Sequence, residues 1–291
     1  MEIIYNPGFL VECINKITQE GSAKVGFVPT MGALHNGHLS LARKARQEND
    51  ICVVSVFVNP TQFNDKNDFK TYPRSVDNDL KMLQDEGVDV VFIPHEKNVY
   101  PTRKLHKLDL GGIDKTMEGE FRPGHFDGVA DVVYRLINMV KPDRAYFGNK
   151  DFQQLKVIET MVKNENLDVE IIGVPIVREP DGLAMSSRNQ RLNRKERKEA
   201  ASIYKILKQA ADVYASFSPD QLKSEIERHL NNTNLLECEY VEIVQEDDLK
   251  LVRKWKKGCK MRICVAVWCG NVRLIDNYRI VTYKNYDDSI K

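Results

Sequence analysis

What most constrains this chain is the alternation of short apolar runs with helical patterns over its first two thirds. Residues 25–28, 51–58, 88–93, 145–147 and 169–174 are rich in Val, Ile and Phe, and several are apolar almost throughout. Strands covered on both faces read this way, because neither side meets water. Between them, residues 38–47, 76–86, 129–139 and 152–164 show helical spacing, as where Leu155, Ile158 and Val162 recur on one face. This alternation predicts an α/β fold built on a Rossmann-like parallel sheet. Ligands bind such sheets beyond the carboxyl ends of the strands, so the loops there are the places to look for chemistry. The pattern changes near residue 176. Residues 178–191 are polar and loop-like, and a charged helix is expected over 194–216. A second helix should follow the start signal Ser218-Pro219-Asp220. Alternating runs at 237–244, 262–268 and 272–279 predict a small antiparallel sheet. The expected division is a nucleotide- and substrate-binding domain over 1–176 and a smaller α+β domain over 177–291, acting as a lid.

The first strand runs into Pro29-Thr30-Met31-Gly32-Ala33-Leu34-His35-Asn36-Gly37-His38, with a helix beginning near His38. A glycine-containing strand-to-helix turn offers backbone N–H groups and the positive end of a helix dipole to an anion. His35 and His38, three apart, share a face, and Gly37 leaves room for a flat ring on the backbone. Neither a Walker lysine loop nor a Gly-x-Gly-x-x-Gly fingerprint is present. His-x-Gly-His after a first strand is the pattern of nucleotidyltransferases, whose histidines stabilise charge on an α-phosphate. Two histidines alone, with no acidic or Cys partner nearby, make a metal site the weaker reading, and no metal ligands are assigned.

Other strand ends carry polar groups of their own. After residue 58 come Asn59-Pro60-Thr61-Gln62, amides suited to an uncharged polar substrate or simply to a turn. After residue 147 come Gly148-Asn149-Lys150-Asp151; the lysine is placed as a point charge for phosphate, and the aspartate could cap a helix or hold Mg²⁺. Met185-Ser186-Ser187-Arg188 combines hydroxyls with a guanidinium, a set able to hold phosphate oxygens.

Met31-Gly32-Ala33-Leu34-His35-x-Gly-His38 closely resembles the pantothenate synthetase (pantoate–β-alanine ligase) family. The resemblance continues through Asn59-Pro60-Thr61-Gln62-Phe63, Tyr72-Pro73-Arg74, Glu118-Gly119-x-x-Arg122-Pro123-Gly124-His125-Phe126, Pro142 to Asp151, Gln153-Gln154-Leu155 and Asp181 to Asn189. These blocks stand in family order from about residue 25 to 192; the last hundred residues match only in general character. The resemblance implies condensation of (R)-pantoate with β-alanine, driven by ATP with Mg²⁺, through a pantoyl adenylate that releases AMP and pyrophosphate. It implies that His35, His38, Lys150, Ser186, Ser187 and Arg188 carry the chemistry. Met31, Gly32, Gly148, Asn149, Lys150, Asp151, Val177 and Met185 to Arg188 would bind ATP. Gln62, Gln154, Asn59 and Arg122 would bind substrate, with Pro29, Met31 and Phe63 walling the pantoate methyls. It further implies a homodimer. The chain departs from the family where Phe-Gly-Pro-x-Glu-Asp is usual, reading Phe63-Asn64-Asp65-Lys66-Asn67-Asp68, and Asn149 replaces a common Glu. The rival reading is a nucleotidyltransferase acting on another small carboxylate or phosphate.

Charge excludes little but steers the reading. The 291 residues hold 43 Lys+Arg against 42 Asp+Glu, a net charge of +1, without the basic excess of a general nucleic-acid binder. Arg253-Lys254-Trp255-Lys256-Lys257 reads as a solvated turn. The most apolar stretch, residues 51–58, falls well short of the ~20 residues a spanning helix needs. The N-terminus lacks a cationic start followed by an apolar core. Six cysteines without a Cys-x-x-Cys pair read as free thiols in a reducing cytoplasm.

Overall fold

The computed structural model describes residues 1–17, 23–64, 66–102 and 104–281, and the side chains of Lys66 and Asn67 fall outside that description. Asp65 therefore lies outside the described residues, and the departure at 64–68 is visible only in part. The chain divides into two compact units, one of residues 1–149 with 153–177 and one of 150–152 with 178–291.

The first unit holds strands β1 (Glu2–Ile4), β2 (Val25–Thr30), β3 (Ile51–Val56), β4 (Val90–Phe92), β5 (Arg144–Gly148) and β6 (Glu170–Val174). All pair in parallel, in the order β1-β4-β3-β2-β5-β6. Every residue of β3 is buried, which is why its sequence shows no polar face. The helices are α1 (Pro7–Ile17), α2 (Asn36–Glu48), α3 (Lys66–Thr71), α4 (Val76–Asp85), α5 (Glu96–Val99), α6 (Glu118–Phe121), α7 (His125–Val140) and α8 (Phe152–Asn164). On one face of the sheet Leu39, Ala42 and Ala45 of α2 and Leu83 of α4 join Val28, Val54, Val91 and Tyr146 in a single apolar cluster. Strand order reverses at β2, whose neighbours are β3 on one side and β5 on the other. Strand ends at such a switch point diverge and leave a crevice. The His35–His38 turn follows β2, and Gly148 and Asn149 close β5.

Three expectations need amendment. Strand β1 and helix α1 stand where no element is expected from the sequence: β1 is three residues long with an exposed face. Helix α7 starts at His125, four residues before the expected 129. The charged helix expected over 194–216 is instead α9 (Arg194–Ala200) and α10 (Ser202–Asp212), broken at Ala201, followed by a 3₁₀ turn at Tyr214–Ser216.

The second unit completes its layer with α11 (Pro219–Asn231) and the antiparallel strands β7 (Leu236–Gln245), β8 (Met261–Cys269) and β9 (Val272–Ile280). Ser218 caps α11 in a reciprocal box with Gln221, and Pro219 occupies the first turn, where its missing N–H costs nothing. Ile203, Leu207, Leu222, Ile226 and Leu230 pack on Val241, Ile243, Ile263, Val265 and Leu274 as this unit's core. Cys269 is buried in it, Cys264 is buried outside it and Cys259 is half-buried against it, all as free thiols. No helix among the described residues is long and apolar enough to cross a membrane.

Candidate active site

The turn after β2 is fixed from both ends. Gly32 has φ +77°, and a Cβ there would lie 2.9 Å from Asp79 Oδ2 and 3.0 Å from Val56 Cγ1; only glycine fits such a backbone without strain. Asp79, on α4 and 1% exposed, accepts from the Ala33 N–H at 3.0 Å and the Leu34 N–H at 2.8 Å. Burial pushes its carboxyl above the usual range, and the two N–H groups pull it back only in part. At the other end His35 is the N-cap of α2: its Nδ1 accepts from the Gly37 N–H at 3.1 Å, and its carbonyl accepts from the His38 and Leu39 N–H groups. A neutral ring whose Nδ1 accepts must carry its proton on Nε2. The His38 ring lies against it, centroids 4.1 Å apart. Two half-buried imidazoles thus stand at the first turn of a 13-residue helix, where the dipole already favours an anion.

The amides after β3 are ordered by one residue. Asn59, 1% exposed, accepts at Oδ1 from the Thr61 N–H at 3.2 Å, the Thr61 hydroxyl at 3.0 Å and the Tyr100 hydroxyl at 2.7 Å. Its Nδ2 donates to the Gly128 carbonyl and to Gln62 Oε1, both at 3.1 Å. Burial pushes the Tyr100 phenol up to about 12, so it remains a donor at neutral pH. Asn59 is therefore engaged within the protein and sets which way Gln62 faces. Gln62 turns its Nε2 toward Met31 Sδ at 2.9 Å, a weak acceptor that an oxygen-bearing ligand would displace. His125 of α7 holds the same turn by donating from Nδ1 to the Gln62 carbonyl at 2.8 Å. Phe63 packs edge-on against Phe69 and Tyr72.

On α8 the two adjacent glutamines part ways. Gln153 is buried, accepting from the Glu118 N–H and donating to the Ile113 and Thr116 carbonyls. Gln154 is half-buried on the first turn. Arg122 pairs with Glu118 at 3.3 Å and lines a cleft of about 180 Å³ with Asp114, Gly119 and Asp127. Val177 is half-buried at the end of this unit. The structure thus brings Met31, Asn59 and Gln62 into a chain of direct contacts and sets the His35 and His38 rings against each other at a tilt of 34°, while Gln154 and Arg122 stand on other elements.

In the second unit, Lys150 is half-buried with Nζ 3.7 Å from Asp151 Oδ1. Ser186 caps the 3₁₀ turn Ser187–Arg191 by accepting from the Arg188 N–H at 3.3 Å. Ser187 is buried; Met185 and Arg188 are half-buried. Among the described residues no group of three or more His, Cys, Asp or Glu is placed to hold a metal ion. Strand ends in the sequence point to the histidines, amides, lysine and serines as candidates, but give no sign of Asp79, Tyr100 or His125, which hold the turn after β2 and the amide turn after β3.

Residues 2–279 match the pantoate–β-alanine ligase family. The chain belongs to that family. A pantothenate synthetase from Thermotoga petrophila is 48% identical over 92% of this chain and 96% of its own length. One from Bacteroides thetaiotaomicron is 45% identical over 96% and 99%. Among solved structures, pantothenate synthetase from Thermus thermophilus superposes with a TM-score of 0.87 at 41% identity, covering 96% of this chain and 99% of that one. The pantoate–β-alanine ligase from Francisella tularensis, complexed with beta-gamma ATP and β-alanine, gives 0.79 at 39% identity over 98% and 100%. Both share the pantoate–β-alanine ligase architecture, a parallel sheet followed by a small antiparallel one.

Proposed function

We propose that this chain joins (R)-pantoate to β-alanine, using ATP and giving pantothenate, AMP and pyrophosphate by way of a pantoyl adenylate. The carrying observation is the His35–His38 turn at the head of α2, in a chain of this family. Its His35 tautomer presents an Nε2–H donor where a phosphate would meet the helix terminus.

In the first step a pantoate carboxylate oxygen, already ionised, forms a bond to the α-phosphorus. The bond from that phosphorus to its bridging oxygen breaks, and the electron pair leaves on pyrophosphate. No base is needed, so catalysis is positional and electrostatic. His35, His38 and the α2 N-terminus meet the α-phosphate region; Met31, Gly32, Gly148, Asn149 and Val177 line the nucleotide. Lys150, Asp151 and Met185 to Arg188 face the phosphates, with Lys150, Ser186, Ser187 and Arg188 countering their charge. Gln62, held by Asn59, and Gln154 take the polar groups of pantoate, and Pro29, Met31 and Phe63 face its methyls. Arg122 is assigned to substrate carboxylate. In the second step the β-alanine amine attacks the acyl carbon. The C–N bond forms, AMP leaves with the C–O electron pair, and the amine sheds a proton; His38 stabilises the departing phosphate oxygen. Mg²⁺ arriving with ATP would supply further charge neutralisation, and Asp151, beside Lys150, is the carboxylate that would help to hold it.

Two further assignments belong to this proposal: a homodimer and a cytoplasmic setting that keeps the cysteines reduced. The test is incubation with ATP, pantoate and β-alanine. AMP release and sustained turnover should require both cosubstrates, while pantoate without β-alanine should yield no more than a stoichiometric burst of pyrophosphate. ADP and phosphate would mean attack at the γ-phosphate and would reject the adenylate route.

A further inference from the structure

Two adjacent residues of β9 tie together the phosphate-facing segments of the second unit, and neither lies in a motif block of the sequence. Asn277, 3% exposed, donates from Nδ2 to the Lys150 carbonyl at 2.9 Å. Its Oδ1 accepts from Arg262 Nη1 at 2.6 Å. Arg262 is itself held by Glu246 and lies over the Phe152 ring at 4.1 Å. The Asn277 amide is therefore orientated unambiguously: arginine can only donate, so the oxygen faces Arg262 and the NH₂ faces the carbonyl. Asp276, 4% exposed, receives both arms of Arg178 at 2.7 and 2.9 Å. Arg178 also donates to the Gly182 carbonyl at 3.0 Å and stacks over Tyr204 at 4.2 Å. Arg178 bridges to Ala184, and the Ala184 carbonyl accepts from Asn189 Nδ2 at 3.0 Å. Met185 to Arg188 are the span between those two residues.

We propose that Asp276 and Asn277 are positioning residues for the triphosphate. Asn277 fixes the backbone of Lys150, Asp276 fixes the stem of the Met185–Arg188 loop, and one strand holds both in register. This rests on Lys150 and that loop meeting ATP. Neither β9 residue touches a ligand in this scheme. Buried and hydrogen-bonded on every side, they convert the rigidity of an antiparallel strand into a fixed spacing between a lysine and a serine–arginine pair 36 to 38 residues away. Positioned charge acts in proportion to how little it must reorganise.

Asn277→Asp isolates the claim. It is isosteric, keeps an oxygen for Arg262, and replaces the donor to the Lys150 carbonyl with a second oxygen. Binding of a non-hydrolysable ATP analogue is measured by calorimetry, with steady-state KM for ATP and for pantoate and a thermal melt. The expected result is about tenfold weaker analogue binding, the size of one lost hydrogen bond, and a raised KM for ATP with KM for pantoate unchanged. In a Lys150→Ala background the same substitution should add nothing, because its effect passes through Lys150. Parent-like ATP binding in a folded Asn277→Asp protein overturns the proposal, as does a full additional loss in the Lys150→Ala background. Asn277→Ser, too short to reach both partners, repeats the measurement if the aspartate variant does not fold. Lys150→Ala binding the analogue as the parent does would instead remove the phosphate role of Lys150, a result separate from damage that spares Lys150 and misses Asn277.

Discussion

Because Nδ1 of His35 accepts the Gly37 N–H, one side chain both caps α2 and presents a donor. The two roles separate by substitution. His35→Ala removes both; loss of an N-cap costs about 1 kcal/mol of stability. His35→Asn keeps a good cap and loses the ring donor, so it should melt close to the parent. Both variants, and His38→Ala, should slow single-turnover formation of pantoyl adenylate by about 10²–10³, the usual cost of one positioned donor. Adenylate formation at the parent rate in His35→Asn would leave His35 as a cap alone. Asp79 gives a second prediction, with its sign fixed by burial. Its folded pKa is raised above the ordinary 3.8, so folding favours the protonated form. The stability it contributes is complete below that ordinary value and is lost as pH rises through the raised folded value. Asp79→Asn should abolish this loss, so the parent-minus-variant difference in melting temperature should fall over the pH range above the ordinary carboxyl value of 3.8. The variant should also lose adenylate formation, since one of the Ala33 and Leu34 N–H groups loses its acceptor. A flat difference across that range would disprove the linkage. The histidines were legible in sequence because three residues of spacing suffice to show them. Asp79 was not: it acts on a turn 45 and 46 residues away, across a contact that only the fold creates.

Helix α7 shows why element boundaries near the site were hard to read. Its first turn contains Gly128, a residue that weakens helices, and the apolar spacing becomes regular only from Val129. The glycine is required by packing. A Cβ at 128 would lie 2.5 Å from the Thr61 carbonyl oxygen and 2.9 Å from the Gln62 backbone nitrogen. The turn bearing Gln62 is pressed directly on the helix, and His125 and Asn59 bond across the same contact. Gly128→Ala, favourable in an ordinary helix, should here force the Gln62 turn outward, costing about 1–3 kcal/mol. It should raise KM for pantoate far more than KM for ATP. Equal effects on the two would place Gln62 away from pantoate. The strands were easier to read, since β3 and β5 are buried from both sides and carry the apolar runs that burial demands. Strand β1 escaped because Glu2 and Ile3 are exposed. The break at Ala201 escaped because neither proline nor glycine marks it.

For the whole molecule, the sequence pattern reached the parallel sheet, the antiparallel sheet and their order along the chain, because each is written in local periodicity. Which residues share a unit was less accessible. Residues 150–152 leave the parallel-sheet unit and join the second, through bonds such as Asn277 to the Lys150 carbonyl that span 127 residues. The proposed homodimer lies further still from local pattern, and exposed apolar side chains make one edge the candidate for it. The sheet ends at β6 on one side, where Glu170 is exposed and paired with Arg144, charges that discourage strand addition. On the other side, β1 and α1 leave Ile3 38%, Tyr5 49%, Phe9 62% and Val11 41% exposed. Apolar surface concentrated at one edge marks an interaction site. Three residues of strand are too little for a stable interface, which needs about 800 Å² from each partner, so the proposed interface includes the outer face of α1. Light scattering at micromolar protein should therefore give twice the 33.5 kDa chain mass. Phe9→Glu, placing a charge on the most exposed of these side chains, should shift the mass toward 33.5 kDa without lowering the melting temperature of the monomer. A parent protein that stays at the single-chain mass rejects the dimer. A Phe9→Glu protein that remains dimeric keeps the dimer but moves its interface away from β1 and α1.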